Sequence, residues 1–428
     1  MNTSLSPSRT SPTQPLFAVM KALAIIFVVV SHAGAPSWLT RFVFQFHVPV
    51  FFLCAGYFFS TKYLRREADF VGRRFKGLYL PFVKWSLFFL VLHNLLFPLG
   101  ILNEQYGNAA GGVLHPYSWQ QFCQRAWNIV TNMSGYDEFL GGSFWFFRSL
   151  FVASLLFLLL LRASESLPSL RSPRRAAWAI LAGSTFLLVW KSAAGLSIPG
   201  LAGGGSRELM ALALMAAGFL LHIYRRFLRY DWPALLGTTA ILVVFAAVYP
   251  TSMAVRPSAG QALALLVTGV AGFCFLRGLS AYVLLAGSAV SSPFVYIGRH
   301  TLYVFAFHLA AFKVVSAVKV ACYGLPWFAV GGHPVVQAEK GDLFWLLYVL
   351  AGVSLPLLWR EGYLWLERHY DLSFSHLCRV NMRLLVRAFR LCRHGAVCLW
   401  HGLKAGYQAF KAGAKEVIEA STPKEEEE

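Results

Sequence analysis

Ten apolar runs alternate with polar connections along the chain, each near the roughly 20 residues that a helix needs to cross a hydrocarbon core. They cover 16–33, 42–59, 79–99, 144–161, 176–194, 209–224, 235–249, 260–276, 302–323 and 343–358. The pattern predicts an all-α fold, a polytopic integral membrane protein with about ten transmembrane helices. The stretch 279–295 is apolar and Ser-rich but short of a full span, and reads as re-entrant or interfacial. The first run holds Lys21 and His32, lacks a small-residue cleavage site and precedes further spans, so it reads as a retained helix rather than a signal peptide. Three regions follow: a polar N-terminal segment 1–15, a ten-helix membrane domain 16–360, and a tail 361–428.

Composition sharpens this. Charged residues are only 13% of the chain, about half the usual share of a soluble domain. The formal net charge of +19 raises nucleic acid as a partner, but the placement of the charge argues against it. Connections after even-numbered runs carry Arg65, Arg66, Arg73, Arg74, Lys76 and their later counterparts, whereas the opposite connections carry few cations. The positive-inside rule then puts both termini in the cytoplasm of an inner or plasma membrane. In the tail, Arg383, Arg387, Arg390 and Arg393 alternate with Leu384, Phe389 and Leu391, as in a basic amphipathic helix. Such a helix suits an anionic leaflet or a partner helix, and the final 425–428 acidic run reads as a solvated end. The seven cysteines show no CxxC spacing, and only Cys123 and Cys322 both fall in or near outer connections. No metal-ligand motif is present and no resident metal is expected. The connection 100–142 is rich in Gly, Asn and aromatics without strong helical periodicity. It reads as a functional loop for sugar or headgroup contact, or as an interfacial loop anchored by Trp119 and Trp127.

Ionisable residues inside spans are costly, so they mark a path or a site. Lys21 and His32 lie eleven residues apart, about 16 Å of rise and close to three full turns, which puts them on one face. His47, just before Pro49, is expected near the depth of His32 because the first two spans form a hairpin. His308 lies partway along the ninth span and Arg148 one turn into the fourth. Imidazole is the natural general base near neutral pH, while a polar helix contact is the bland role for each histidine and snorkelling the bland role for Arg148. Glu208, beside Arg207, reads as half of a local ion pair. With no carboxylate deep in a span, an acidic-relay transporter gains little support.

Taken in order, several motifs resemble acyltransferase family 3, the membrane O-acyltransferases, and within it the fucose-acetylase-like branch. They are Lys21 through His32 with its ten-residue gap, Phe46-His47-Val48-Pro49 leading to Gly56-Tyr57-Phe58, and Arg73-Arg74-Phe75-Lys76 before Leu80-Pro81-Phe82. Phe144-Trp145-Phe146 and Tyr296-Ile297-Gly298-Arg299-His300 running to His308 complete the likeness. Two positions depart from the family pattern: Ala18 stands where an acid is frequent, and Ala55 where Ser precedes Gly. Both point either to altered donor contacts or to a divergent member of the family.

The resemblance implies a cytoplasmic acetyl-CoA or related acyl-CoA donor, as a substrate rather than a resident cofactor, and a sugar, glycolipid or envelope polysaccharide as acceptor. It implies donor binding by Lys21, Arg73, Arg74 and Lys76, and chemistry at His32, with His47, Lys21, Arg148 and His308 in support. Membrane lipid is the surrounding partner, no nucleic acid is expected, and the oligomeric state is left open. A transporter or flippase for an anionic solute or lipid-linked sugar is the rival reading, and a silent membrane scaffold a third.

Overall fold

The computed structural model describes residues 13–106, 115–198, 202–253, 256–338 and 341–370. The predicted tail helix with Arg383, Arg387, Arg390 and Arg393 lies outside them. Fifteen α-helices occur among the described residues. They are α1 Thr13–His32, α2 Ser37–Phe44, α3 Pro49–Tyr57, α4 Glu67–Arg74, α5 Leu80–Leu96, α6 Trp119–Asn132, α7 Glu138–Gly141 and α8 Trp145–Ser164. Then come α9 Pro173–Ala193, α10 Ser206–Ile223, α11 Trp232–Val248, α12 Ala259–Leu285, α13 Ser288–Arg299, α14 Thr301–Cys322 and α15 Phe344–Tyr370. One compact unit, Met1–Leu358, contains every element of the site described below; a second begins at Trp359 and includes the Arg360–Glu361 ion pair.

Among the described residues, nine helical stretches are long and apolar enough to cross a membrane, and α11 adds a shorter apolar helix of 17 residues. Their outer faces carry what only lipid tolerates: Phe186 is 67% exposed and Val248 77%. A helix whose backbone bonds close within itself can present such faces to hydrocarbon. The protein is therefore all-α and multi-pass.

Several predicted boundaries move. The second span is two helices, because Pro49 has no N–H to continue the ladder; α2 gives way to α3 through a turn that holds His47. The third span begins earlier, with α4 running through a π turn at Phe75–Tyr79 into α5. Arg277 does not end the eighth span. Its guanidinium donates to the Leu228 carbonyl at 3.1 Å and lies 5.2 Å from the Tyr230 ring, so α12 runs on to Leu285. The 279–295 stretch is thus the end of α12 plus the start of the short α13. The 100–142 connection is not a bare loop: Ser118 and Gln121 form a reciprocal capping box that starts α6. Trp119 and Trp127 project from α6, 79% and 68% exposed.

Small residues let the central helices approach closely. A Cβ on Gly56 of α3 would sit 1.9 Å from the Met215 carbonyl of α10, and one on Gly218 of α10 would sit 2.0 Å from the Leu53 carbonyl of α3. Gly298 does the same for α13 against Ala18 of α1, at 1.8 Å from its carbonyl oxygen. The α6 connection is tied down by a buried cluster. His93 Nδ1 lies 2.6 Å from Asp137 Oδ2, and the Tyr117 hydroxyl donates to the same oxygen at 2.5 Å. Burial, and then the Asp137 charge, push the Tyr117 phenol well above its usual range, so it stays a donor. Cys54, Cys123, Cys274 and Cys322 are free thiols.

Candidate active site

A wide cavity, about 710 Å³, lies against α1, α3, α4 and α8 and the end of α13. Its cationic lining is Lys21, Arg73, Arg74 and Arg299; its apolar lining includes Phe17, Phe58 and Phe146. The Arg74 guanidinium packs 4.9 Å from the Phe70 ring, which fixes its direction while leaving its N–H groups for an anion. Both positions that depart from the family pattern, Ala18 and Ala55, line this same cavity. Lys76 does not: it is exposed and outside the lining. Helical geometry explains this, because the π turn that begins at Phe75 carries Lys76 away from the face of Arg73 and Arg74.

A second space, far smaller at about 40 Å³, is lined by His32, His47, Ser143, Ser252, Trp145 and Phe146 among others. The depth expected for His47 holds: it and His32 share this chamber. His308 stands behind His32, with ring centroids 5.5 Å apart. His47 Nδ1 lies 2.6 Å from the Val43 carbonyl, and His308 Nδ1 lies 2.9 and 3.1 Å from those of Phe305 and Val304. A carbonyl can only accept, so both histidines carry their proton on Nδ1 and present Nε2 as a lone pair. His308 Nε2 is buried without a hydrogen-bond partner.

Lys21 and His32 therefore mark the two ends of one path along α1, but they do not face a single cavity. Phe146 lines both spaces and stands between them. Arg148, two residues on, lines neither. Its Nε and Nη2 donate to Glu208 Oε1 at 3.1 and 2.9 Å, with both residues about 5% exposed. Beyond the neighbouring Arg207, Glu208 thus makes a buried bridge from α8 to α10. Arg207, which also feels the Glu208 charge, lies 4.4 Å from the Trp145 ring and donates to the Met253 carbonyl. A buried guanidinium such as that of Arg148 needs a counter-charge, and Glu208 supplies it.

Three buried lysines were not singled out from the sequence. Lys313 of α14 donates to the carbonyls of Val330, Gly331 and Gly332, pinning the turn that precedes α15. Lys319, one and a half turns on, pairs with Asp342 at 2.8 Å. Lys191 donates to Ser206. Their signal was visible as charges inside apolar runs, but their partners lie in other segments. Arg299 of the wide cavity was also readable, since it sits within the Tyr296–His300 motif.

Residues 17–359 match the acyltransferase-3 family, described as an acyltransferase domain. No curated protein and no solved structure matches the chain. The match spans most of the chain, including α1 with Lys21 and His32 and α14 with His308, and so the protein is a multi-pass membrane protein that belongs to acyltransferase family 3.

Proposed function

We propose that the protein transfers an acetyl or other short acyl group from acyl-CoA to a hydroxyl of a sugar or cell-envelope polysaccharide, as in the fucose-acetylase-like branch of the family. The observation that carries this reading is one path with two unlike ends: cations around a wide cavity, imidazoles around a narrow chamber, and Phe146 between them. Acyl-CoA is polyanionic at one end and slender at the other. Arg73, Arg74 and Arg299 suit its phosphates, Lys21 suits the arm, and the aromatic wall suits the pantetheine. The cations concentrated in the connections on this side support a cytoplasmic position for this end, in an inner or plasma membrane.

His32 takes the proton of the acceptor hydroxyl. The oxygen attacks the thioester carbonyl, forming a C–O bond and a tetrahedral intermediate; collapse breaks the C–S bond, and the CoA sulfur leaves with the proton His32 returns. The His308 Nε2 lone pair, on a ring 5.5 Å from that of His32, suits accepting the single N–H of neutral His32, which would leave the other His32 nitrogen as the base. His47, across the chamber, accepts from a neighbouring hydroxyl of the acceptor and so orients it. Arg148, committed to Glu208, acts by holding α8, and with it Phe146, in place.

The test uses full-length protein in proteoliposomes with acetyl-CoA labelled in its acetyl group and envelope glycan from cells lacking the gene. Label should appear covalently on the glycan, and should disappear with a folded His32→Ala variant. Passage of unmodified glycan or solute across the vesicle, with no label transferred, would overturn the reading in favour of transport.

A further inference from the structure

We infer that Phe146, backed by Phe51 and Phe305, sets the length of the acyl group and restricts the protein to acetyl. The inference rests on the acyl-CoA reading above and goes beyond it, since neither the family nor the cationic cavity dictates an acyl chain.

The argument starts from the two volumes. On the basic side about 710 Å³ is available, enough for a long donor arm. Past Phe146, beside His32 and His47, only about 40 Å³ remains. That is room for roughly three atoms the size of a water molecule. An acetyl group has three heavy atoms; a butyryl group has five.

The boundary is rigid in the way such a limit requires. The Phe146 ring lies 5.7 Å from Phe51, 5.1 Å from Phe52 and 5.4 Å from Phe305, tilted or edge-on to each. These are favoured aromatic arrangements, and they come from α3, α8 and α14, so the ring cannot swing without disturbing three helices. Val28 and Val48, on the same wall, are β-branched and stiff at χ1. Phe146, Phe51 and Phe305 are each only half-buried, as rings that border open space rather than core. A longer acyl chain has to stay on the basic side, with its carbonyl short of His32.

Membranes containing the full chain would be given labelled acetyl-CoA or butyryl-CoA, and label on the envelope glycan measured, with His32→Ala membranes as blank. The wild type should favour acetyl by on the order of 100-fold, the scale at which apolar pockets discriminate small changes in chain length. Phe146→Ala should narrow that ratio by at least about tenfold, through gained butyryl transfer as well as lost acetyl transfer. Phe305→Leu, a milder opening of the same wall, covers the case in which the alanine variant does not fold, and should move the ratio the same way. Equal use of both donors by the wild type, or an unchanged ratio in folded variants, overturns the inference while leaving acyl transfer intact. Absence of transfer from either donor overturns the functional reading itself.

Discussion

The two ends of the path along α1 solve opposite problems. The basic cavity is large and walled by four cations, and Ala18 and Ala55, the two positions that depart from the resemblance, lie on its wall. The histidine chamber is small, and its polar groups are fixed individually, each flanking imidazole locked by a carbonyl one turn back. Charge recognition works at a distance and through flexible side chains, whereas proton transfer needs atoms within hydrogen-bond reach. Breadth at one end and precision at the other follow from that difference.

Substitutions can separate the two ends. The largest effect should come from His32→Ala, which should cut transfer by on the order of 10²–10⁴-fold, as loss of a general base does, while donor affinity in a binding titration stays near wild type. A parallel loss of donor binding would merge the two ends into one site. Next, Arg148→Met should leave Glu208 buried and unpaired, costing about 3–5 kcal/mol in a detergent unfolding titration. The double change with Glu208→Met should recover much of that; equal loss in both would mean the pair is not what anchors α8. Arg74→Ala should raise KM for acyl-CoA by about 10–100-fold with little change in kcat, the pattern of a lost charged contact made equally in ground and transition states. The smallest effect belongs to Lys76→Ala, less than about twofold in the same assay, because its side chain points away from the cavity. A tenfold rise in KM there would extend the donor site along the π turn.

Much of this was legible in the chain. The order of apolar runs gave the multi-pass fold, and the eleven-residue step from Lys21 to His32 linked the two ends on one helix face. What escaped was whatever depends on residues far apart in sequence. Arg148 and Glu208 are sixty positions apart, and no spacing rule joins them. Arg277 looked like the end of a span because hydropathy cannot see the Leu228 carbonyl that accepts from it. Lys313 hid in an apolar run because three backbone carbonyls, silent in any side-chain pattern, satisfy it. Likewise, spacing placed Lys21 and His32 on one path but could not reveal that Phe146 divides it.

The ring cluster around Phe146 is also an electrical boundary. A cavity walled by four cationic side chains holds water and counter-ions, so little of a membrane potential drops along it. The drop concentrates instead across the thin apolar layer of Phe51, Phe146 and Phe305, where moving one elementary charge through about 100 mV costs about 2.3 kcal/mol. On the acyl-CoA reading proposed above, the donor's phosphates would stay on one side of that layer and do no electrical work. A neutral acyl group would be the one part of the donor to cross, so transfer would neither tap nor dissipate the membrane's stored energy.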